Sequence, residues 1–501
     1  MRSVPSALLA WAALASTALC SSCDADPTVQ TRGGVVHGIV DNSAPAVRQF
    51  LGIPYARPPL GDLRFAPPQP ALPFRELNAT EVGPSCMQYL SDLPSVIIND
   101  VLEFNLGGLN TTGAVSEDCL TLSIWAPREK KATNLPVLVF FYGGAFIAGG
   151  VDTPYLYPTE WIQRTQSHIV VAFNHRDNIL GFPNAAGLPP EQQNVGLLDQ
   201  RLVLEWVRDN IAAFGGDPSR IGAWGQSSGS IAIAYYSYVY QDDPIINSVI
   251  LDSGYEFIDI LTYDQLHANF TFMASQFGCG NLSPADELAC MRRVDAGAMQ
   301  DFMHEYYTAG SSPLITFSPV VDNHTVFGNY TARAEGGHIA RLPALIGSNA
   351  QDGNMFVAYD PSGVDEELAD QMTSFYFFCP TYQAAKVRIA AGTGPVYRYL
   401  YSGNFSNVSP KGWMGAWHGS ELPLVFGTHG DYRGESTELE RLTSWAMQDA
   451  WVEFVATAGE RMSIVSWNGS EVVDGGPLVE FGNGVPVRVI EAKEMEQRCS
   501  A

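Results

Sequence analysis

One pentapeptide in this chain has the residue types and spacing for acyl transfer. Gly225-Gln226-Ser227-Ser228-Gly229 fits the pattern G-x-S-x-G, in which a serine on a sharp strand-to-helix turn lifts its hydroxyl above a sheet. Side chains at the two glycine positions would collide with neighbours, and the serine takes a strained conformation. A helix beginning there aims its first N–H groups at developing negative charge. Ser227 is the candidate nucleophile, because Ser228 and Ser230 lack the flanking pair of glycines. An isolated match of this kind is also what an ordinary Gly/Ser-rich turn looks like, so its context decides.

A serine of this kind needs donors for the oxyanion of a tetrahedral intermediate, and backbone N–H groups serve best where no side chain obstructs them. Gly143-Gly144-Ala145 follows an apolar run. The N–H groups of Gly144, Ala145 and Ser228 are the candidate donors; without Ser227 the same segment would read as a Gly-rich strand end with no chemistry. No H-E-x-x-H and no paired C-x-x-C is present, so neither a metal nor an organic cofactor is expected.

Elements able to position these residues are visible around them. Leu135 to Tyr142 is a near-continuous apolar run, as is His168 to Asn174; both read as strands buried on two faces. Asp199 to Phe214 carries Leu202, Leu204, Val207 and Ile211 at helical spacing, and Gly215-Gly216-Asp217-Pro218 supplies the stop. Ile221 to Gly225 is a short apolar strand leading into the pentapeptide. Gly33 to Val40 alternates like an early strand or hairpin, and Arg57 to Pro70 is a proline-rich ordered loop. Strands alternating with helices predict an α/β protein with a central, mostly parallel sheet and helices on both faces.

The bulk numbers fit that reading. The 501 residues are 46% hydrophobic and 16% charged, with a formal net charge of −25. Such a balance supports a large core and argues against a nucleic-acid partner, which would need a basic face. Residues 1–20 read as a cleaved signal peptide: Arg2, an apolar stretch from Ala7 to Leu19, then small residues. No other run is suited to an integral membrane segment. Secretion makes the cysteines readable as disulfides. Beyond Cys20 and Cys23 the body holds Cys86, Cys119, Cys279, Cys290, Cys379 and Cys499, and spacing alone does not choose among their possible pairings. Nine N-x-S/T sequons, at Asn78, Asn110, Asn269, Asn281, Asn323, Asn329, Asn404, Asn407 and Asn468, suit the same compartment, with Asn281 and Asn407 weakened by a following proline.

Taken in order, several motifs resemble the type-B carboxylesterase/lipase family, the cholinesterase-like branch of the α/β-hydrolases. They are Gly52-Ile53-Pro54-Tyr55-Ala56, Pro58-Pro59, Gly61 to Phe65, Glu117-Asp118-Cys119-Leu120, Tyr142 to Phe146, Asn194 to Gln200, Phe214 to Arg220, and the pentapeptide itself. The resemblance runs from about Val35 to the C-terminus and implies one large α/β-hydrolase domain over residues 24–501. It implies a triad as well. The family's acid matches Asp352, in Gly347 to Gly353, where glutamate is usual; its histidine matches His418, in Trp417 to Pro423. Aspartate is one methylene shorter than glutamate and still accepts an imidazole N–H. The order Ser…Asp…His is that of an α/β-hydrolase. The resemblance further implies the pairs Cys86–Cys119, Cys279–Cys290 and Cys379–Cys499, and scaffold ion pairs Arg64–Glu117 and Arg176–Asp199.

The expected activity is therefore that of a secreted serine carboxylic ester hydrolase, without a cofactor, acting on a small-molecule or lipid ester. The stretch between Cys86 and Cys119 has no tryptophan, so the aromatic platform for a quaternary ammonium is missing. Gln226 also stands where a glutamate would add negative charge. A neutral, moderately hydrophobic ester is expected. The same stretch carries Leu90, Leu93, Val96, Ile97, Ile98, Val101, Leu102, Phe104 and Leu106, which suits either the lid of a lipase or sterol esterase or a loop packed on the body. Three rivals are a catalytically dead adhesion or scaffold protein, an acyl-transferase sharing the acyl-enzyme, and a narrow esterase for phenolic acids or toxins. The first would have lost Ser227 or His418, and a signal segment disfavours the second.

Overall fold

The uncharged run Leu135–Phe141 (β3) lies inside a ten-stranded sheet in the computed structural model, which describes residues 27–101, 115–129, 133–431, 433–463 and 476–500. The expected signal segment, Cys23, Asn110, Asn468, Leu102, Phe104 and Leu106 fall outside the described residues. The other strands of the sheet are β1 (Val47–Pro54), β2 (Thr121–Pro127), β4 (Ile169–Phe173), β5 (Gly216–Gln226), β6 (Ser248–Asp252), β7 (Ala344–Asn349), β8 (Val396–Tyr401), β9 (Pro477–Phe481) and β10 (Val487–Glu491). Their order is β10-β9-β8-β7-β6-β5-β3-β4-β2-β1. From β4 through β3 and β5 to β9 all neighbours run parallel, while β1, β2 and β10 are antiparallel to theirs. The fold is the expected mostly parallel α/β sheet. The early alternation at Val35–His37 forms a hairpin partner of Thr28–Gln30 in a separate small sheet.

Parallel strands need crossovers, and the helices that make them cover both faces. Val137, Val139 and Phe141 of β3 join a core with Val203, Leu204, Val207 and Ile211 of α1 (Val195–Phe214) and Ile233 of α2 (Ser228–Val239). Leu138 and Phe140 point the other way, into a core with Trp451, Phe454 and Val455 of α4 (Glu438–Thr457). Strict alternation along one fully buried strand thus builds two cores.

Helix α1 ends where the sequence predicts, at Gly215 with φ +101°, but it begins at Val195 rather than Asp199. The earlier start has no cap signal. Asn194 precedes the helix, yet its side chain is taken up elsewhere, donating to Val320 O at 2.9 Å and Asp322 Oδ2 at 3.0 Å. Burial of Val195, Gly196 and Leu197 holds the first turn instead.

Three disulfides join Cys86 to Cys119, Cys279 to Cys290 and Cys379 to Cys499. Arg64 meets Glu117 through Nε and Nη2, both at 2.6 Å, and Arg176 meets Asp199 through Nε at 2.8 Å and Nη2 at 2.7 Å. These forked pairs are buried or nearly so, where such geometry is needed to offset desolvation. Among the sequons, Asn407 is buried, with its amide donating to His429 O at 2.7 Å, so the folded chain does not offer it for glycosylation.

Candidate active site

Register along the parallel strands brings distant loops to one rim. Phe141 of β3 lies beside Gly225 of β5, Gln226 beside Asp252 of β6, and Asp252 beside Gly347 of β7. The segments leaving the carboxyl ends of β3, β5, β6, β7 and β8 therefore converge, at the place where open α/β sheets bind ligands.

Ser227 sits between the last residue of β5 and the first of α2, with φ +54° and ψ −126°. That conformation is costly for a residue with a side chain, so its surroundings must enforce it. Ser227 N–H donates to Asp252 O at 2.8 Å, and its carbonyl accepts from Ile231 at 2.9 Å. The flanking glycines are imposed by contact. A Cβ on Gly229 would stand 2.1 Å from Phe141 O, and one on Gly225 would stand 2.5 Å from the Gly229 carbonyl carbon. Strand and helix approach too closely at this turn for any other residue.

The chain leaving β3 lies against the same turn. A Cβ on Gly143 would be 2.9 Å from Ser227 Cβ, which measures how near the two segments are. Gly144, Ala145 and Phe146 follow with positive φ values of 130°, 58° and 60°. Asn178 N–H anchors this irregular segment by donating to Phe146 O at 2.7 Å. No protein acceptor among the described residues takes the N–H of Gly144, Ala145 or Ser228. Three backbone donors near one serine are suited to hold an oxyanion.

His418 and Asp352 come from loops after β8 and β7. Residues 351 and 416–417 pair, with Gln351 N–H donating to Ala416 O at 3.1 Å and Ala416 N–H to Gln351 Oε1 at 2.8 Å. His418 Nδ1 lies 2.7 Å from Asp352 Oδ1. With the buried Asp352 carboxyl as acceptor, Nδ1 is the donor of this pair and Nε2 is the ring nitrogen that faces away from the acid. Nε2 has no hydrogen-bond partner among the described residues. A Cβ on the next residue, Gly419, would lie 3.6 Å from Gln226 Nε2, so the histidine loop rests on the residue that precedes Ser227. Asp352 Oδ2 accepts from Ser253 Oγ at 2.9 Å and Asn349 N–H at 2.8 Å.

Two rings flank the imidazole, Phe356 with its centroid at 5.1 Å and Phe377 at 4.8 Å. Phe377 belongs to a π-helical turn, Thr373–Phe378, that leads into α3 (Cys379–Ala391). Cys379 is tied to Cys499, and Thr373 Oγ1 accepts from Gly353 N–H at 2.9 Å. The phenyl wall and the acid turn are thereby fixed to each other. Deeper in, Asp252 and Glu421 are fully buried. Burial first, and each other's charge second, hold the Asp252 carboxyl well above the usual range; burial likewise raises Glu421. Among the described residues no group of three or more His, Cys, Asp or Glu side chains is arranged to hold a metal ion.

All the residues singled out from sequence for chemistry, Ser227, Asp352, His418, Gly144, Ala145 and Ser228, lie at this rim. Sequence reasoning missed Ser253, Asn349, Asp252, Phe356 and Phe377, and gave Glu421 no role. The signal for the first three was weak but present: polar residues ending the apolar strands β6 and β7. The described part of the Cys86–Cys119 stretch packs on the body, with Val96 and Val101 buried and Asp100 Oδ1 2.7 Å from Lys411 Nζ.

Residues 25–371 and 360–470 match the model of the carboxylesterase family. A chlorogenic acid esterase of Aspergillus niger is 46% identical over 85% of this chain and 82% of its own length. Secreted lipase 5 of Gibberella zeae is 39% identical over 94% of this chain and 93% of its own length. A cholinesterase of Mus musculus is 28% identical over 87% and 79%.

Proposed function

The chain belongs to the carboxylesterase family and is a carboxylic ester hydrolase, and from that premise we propose a secreted serine esterase that cleaves neutral, moderately hydrophobic esters through an acyl-enzyme on Ser227. The observation that carries this reading is the state of His418: one ring nitrogen bound by buried Asp352, the other unpartnered among the described residues, on a loop resting on Gln226. In the proposed reaction Ser227 Oγ attacks the ester carbonyl carbon while His418 Nε2 takes its proton. The N–H groups of Gly144, Ala145 and Ser228 stabilise the oxyanion. His418 returns the proton to the departing alkoxide as the C–O bond breaks. Water, deprotonated by His418, then releases the acid and restores Ser227.

Phe356 and Phe377 beside His418 favour an apolar or aromatic group near the scissile bond. With the chlorogenic acid esterase among the relatives, an aromatic ester such as chlorogenic acid heads the substrate list. The lipase relative keeps long-chain esters as the second reading. Secretion is supported by the leader-like N-terminus, the three disulfides and the secreted relative. No described helix is long and apolar enough to cross a membrane.

The test is hydrolysis of chlorogenic acid and of p-nitrophenyl esters from acetate to palmitate, beside Ser227→Ala. Serine-dependent cleavage of chlorogenic acid or short esters supports the first reading. A rise in activity when long-chain substrate forms an interface supports the second. No serine-dependent hydrolysis of any ester would sink both.

A further inference from the structure

Three carboxyl groups lie together beneath His418, those of Asp352, Asp252 and Glu421, and each residue is fully buried. None is ion-paired to a lysine or arginine among the described residues. The titratable groups facing the cluster are His418, Tyr255, Tyr399 and Tyr401. Burial pushes all three tyrosines well up, so they stay neutral. Among the described residues one imidazole is then the only group able to supply positive charge to three buried acids, and three carboxylates at such range do not all ionise.

Donors decide which acid keeps its charge. Asp352 receives His418, Ser253 and the Asn349 N–H. Glu421 receives the Asn349 amide on Oε2 and the N–H of its own main chain. The Tyr399 hydroxyl is the donor within reach of Asp252, and the Glu421 carboxyl is within hydrogen-bonding reach as well. Two carboxyl groups in contact, without an N–H between them, bond only when one carries a proton.

We infer that Asp252 and Glu421 share one proton and act as positioning residues, holding a single negative charge beside Asp352 that sets the basicity of His418. The inference rests on the proposed role of His418 as general base. The upward direction of both acids agrees with a shared proton. The geometry links the pair to the reacting groups from two sides. Asp252 O accepts the N–H of Ser227, and Asn349 bridges Asp352 to Glu421. If the pair lost its proton, three charges would face His418 and hold it as imidazolium, unable to act as base. If it lost its remaining charge, the imidazolium formed during attack would be less stabilised.

The test compares the pH dependence of kcat/KM in the wild type, Asp252→Asn, Glu421→Gln and the double variant, using p-nitrophenyl acetate. In either single variant the amide N–H replaces the shared proton and the charge remains, so the acid limb stays where it is. The double variant loses the charge. Its acid limb moves to lower pH by about one to two units, as expected for one charge at about 6–12 Å and an effective dielectric of about 20, and its plateau falls. An unmoved limb in the double variant, or a single variant that moves it as far, overturns the inference. Should the double variant not fold, infrared spectra decide: a protonated-carboxyl C=O band at neutral pH in the wild type that each single variant loses supports sharing, and its absence in the wild type overturns it. Residual hydrolysis by Ser227→Ala would instead count against the proposed function itself.

Discussion

Ser253 Oγ donates to Asp352 Oδ2 at 2.9 Å, on the oxygen opposite the one that meets His418. The acid is thus gripped from two directions, and the plane of its carboxylate, hence of the imidazole, is set by a residue from the end of another strand. Removing that grip should misalign the pair without unfolding the chain. Ser253→Ala leaves Asp352 with the Asn349 N–H and costs about 1–2 kcal/mol, read as a roughly ten-fold fall in kcat with KM little changed. Steady-state kinetics beside a melting curve check it; an unchanged kcat would remove Ser253 from the site.

Asp352 is fully buried with both oxygens bound. Asp352→Asn presents an amide where the imidazole needs an acceptor, and kcat should fall on the order of 10⁴-fold, the size of that change in a serine protease triad. Asp352→Glu adds a methylene to a filled space. Overpacking of that kind costs about 1–3 kcal/mol, so the variant should keep measurable but lower activity and melt earlier. Circular dichroism and initial rates on both variants test this.

Gly229 has no room for a side chain, since a Cβ there would stand 2.1 Å from Phe141 O and 2.5 Å from Tyr142 O. Both obstacles are main-chain atoms that cannot swing aside. Gly229→Ala should abolish soluble secreted protein or lower its melting temperature strongly. Gly412, whose Cβ would meet nothing within 4 Å, is the control, and Gly412→Ala should melt like the wild type. Equal melting of both variants would contradict the packing at the turn.

His168 is fully buried against Trp161, with Nδ1 3.1 Å from Thr165 Oγ1. Burial, aided by the charge of Arg164, pushes its pKa down to about 3. The unfolded chain binds this proton near pH 6.5, while the folded chain refuses it until about pH 3. Stability from this group is therefore complete above about pH 6.5 and is lost as pH falls toward about 3. His175, pushed to about 4 by burial, adds a loss of the same sign. His168→Phe should flatten the acid-side slope of unfolding free energy by up to about 1.4 kcal/mol per pH unit. Urea unfolding at several pH values between about 4.5 and about 7 measures the slope, and an unchanged slope would mean that His168 is protonated in the fold.

Several parts of the molecule were legible before any coordinates because their causes are local. β3 and β4 announced themselves as apolar runs, since a strand buried on both faces has no polar side to show. The stop at Gly215 was legible because a left-handed residue favours glycine. The start of α1 was not, because buried contacts of Val195 and Leu197, rather than a cap, hold its first turn. The shared ends of the strands were also hidden: that Gln226 lies beside Asp252 and Asp252 beside Gly347 depends on strand order, which no single segment encodes.

The sequence by itself determined the turn at Ser227 and the segment Gly143 to Ala145, since at each the chain's own backbone leaves space for few residue types. It also carried, through ordered motifs, the family and with it the candidate partners Asp352 and His418. Only the tertiary structure decided what surrounds that aspartate. Ser253 reaches it across 99 positions of chain, and Asp252 and Glu421 matter only because folding buries them in one low-dielectric space. Steric exclusion at a turn acts between near neighbours and can be written locally. The ionisation of a buried cluster is a collective property of every group that folding brings together.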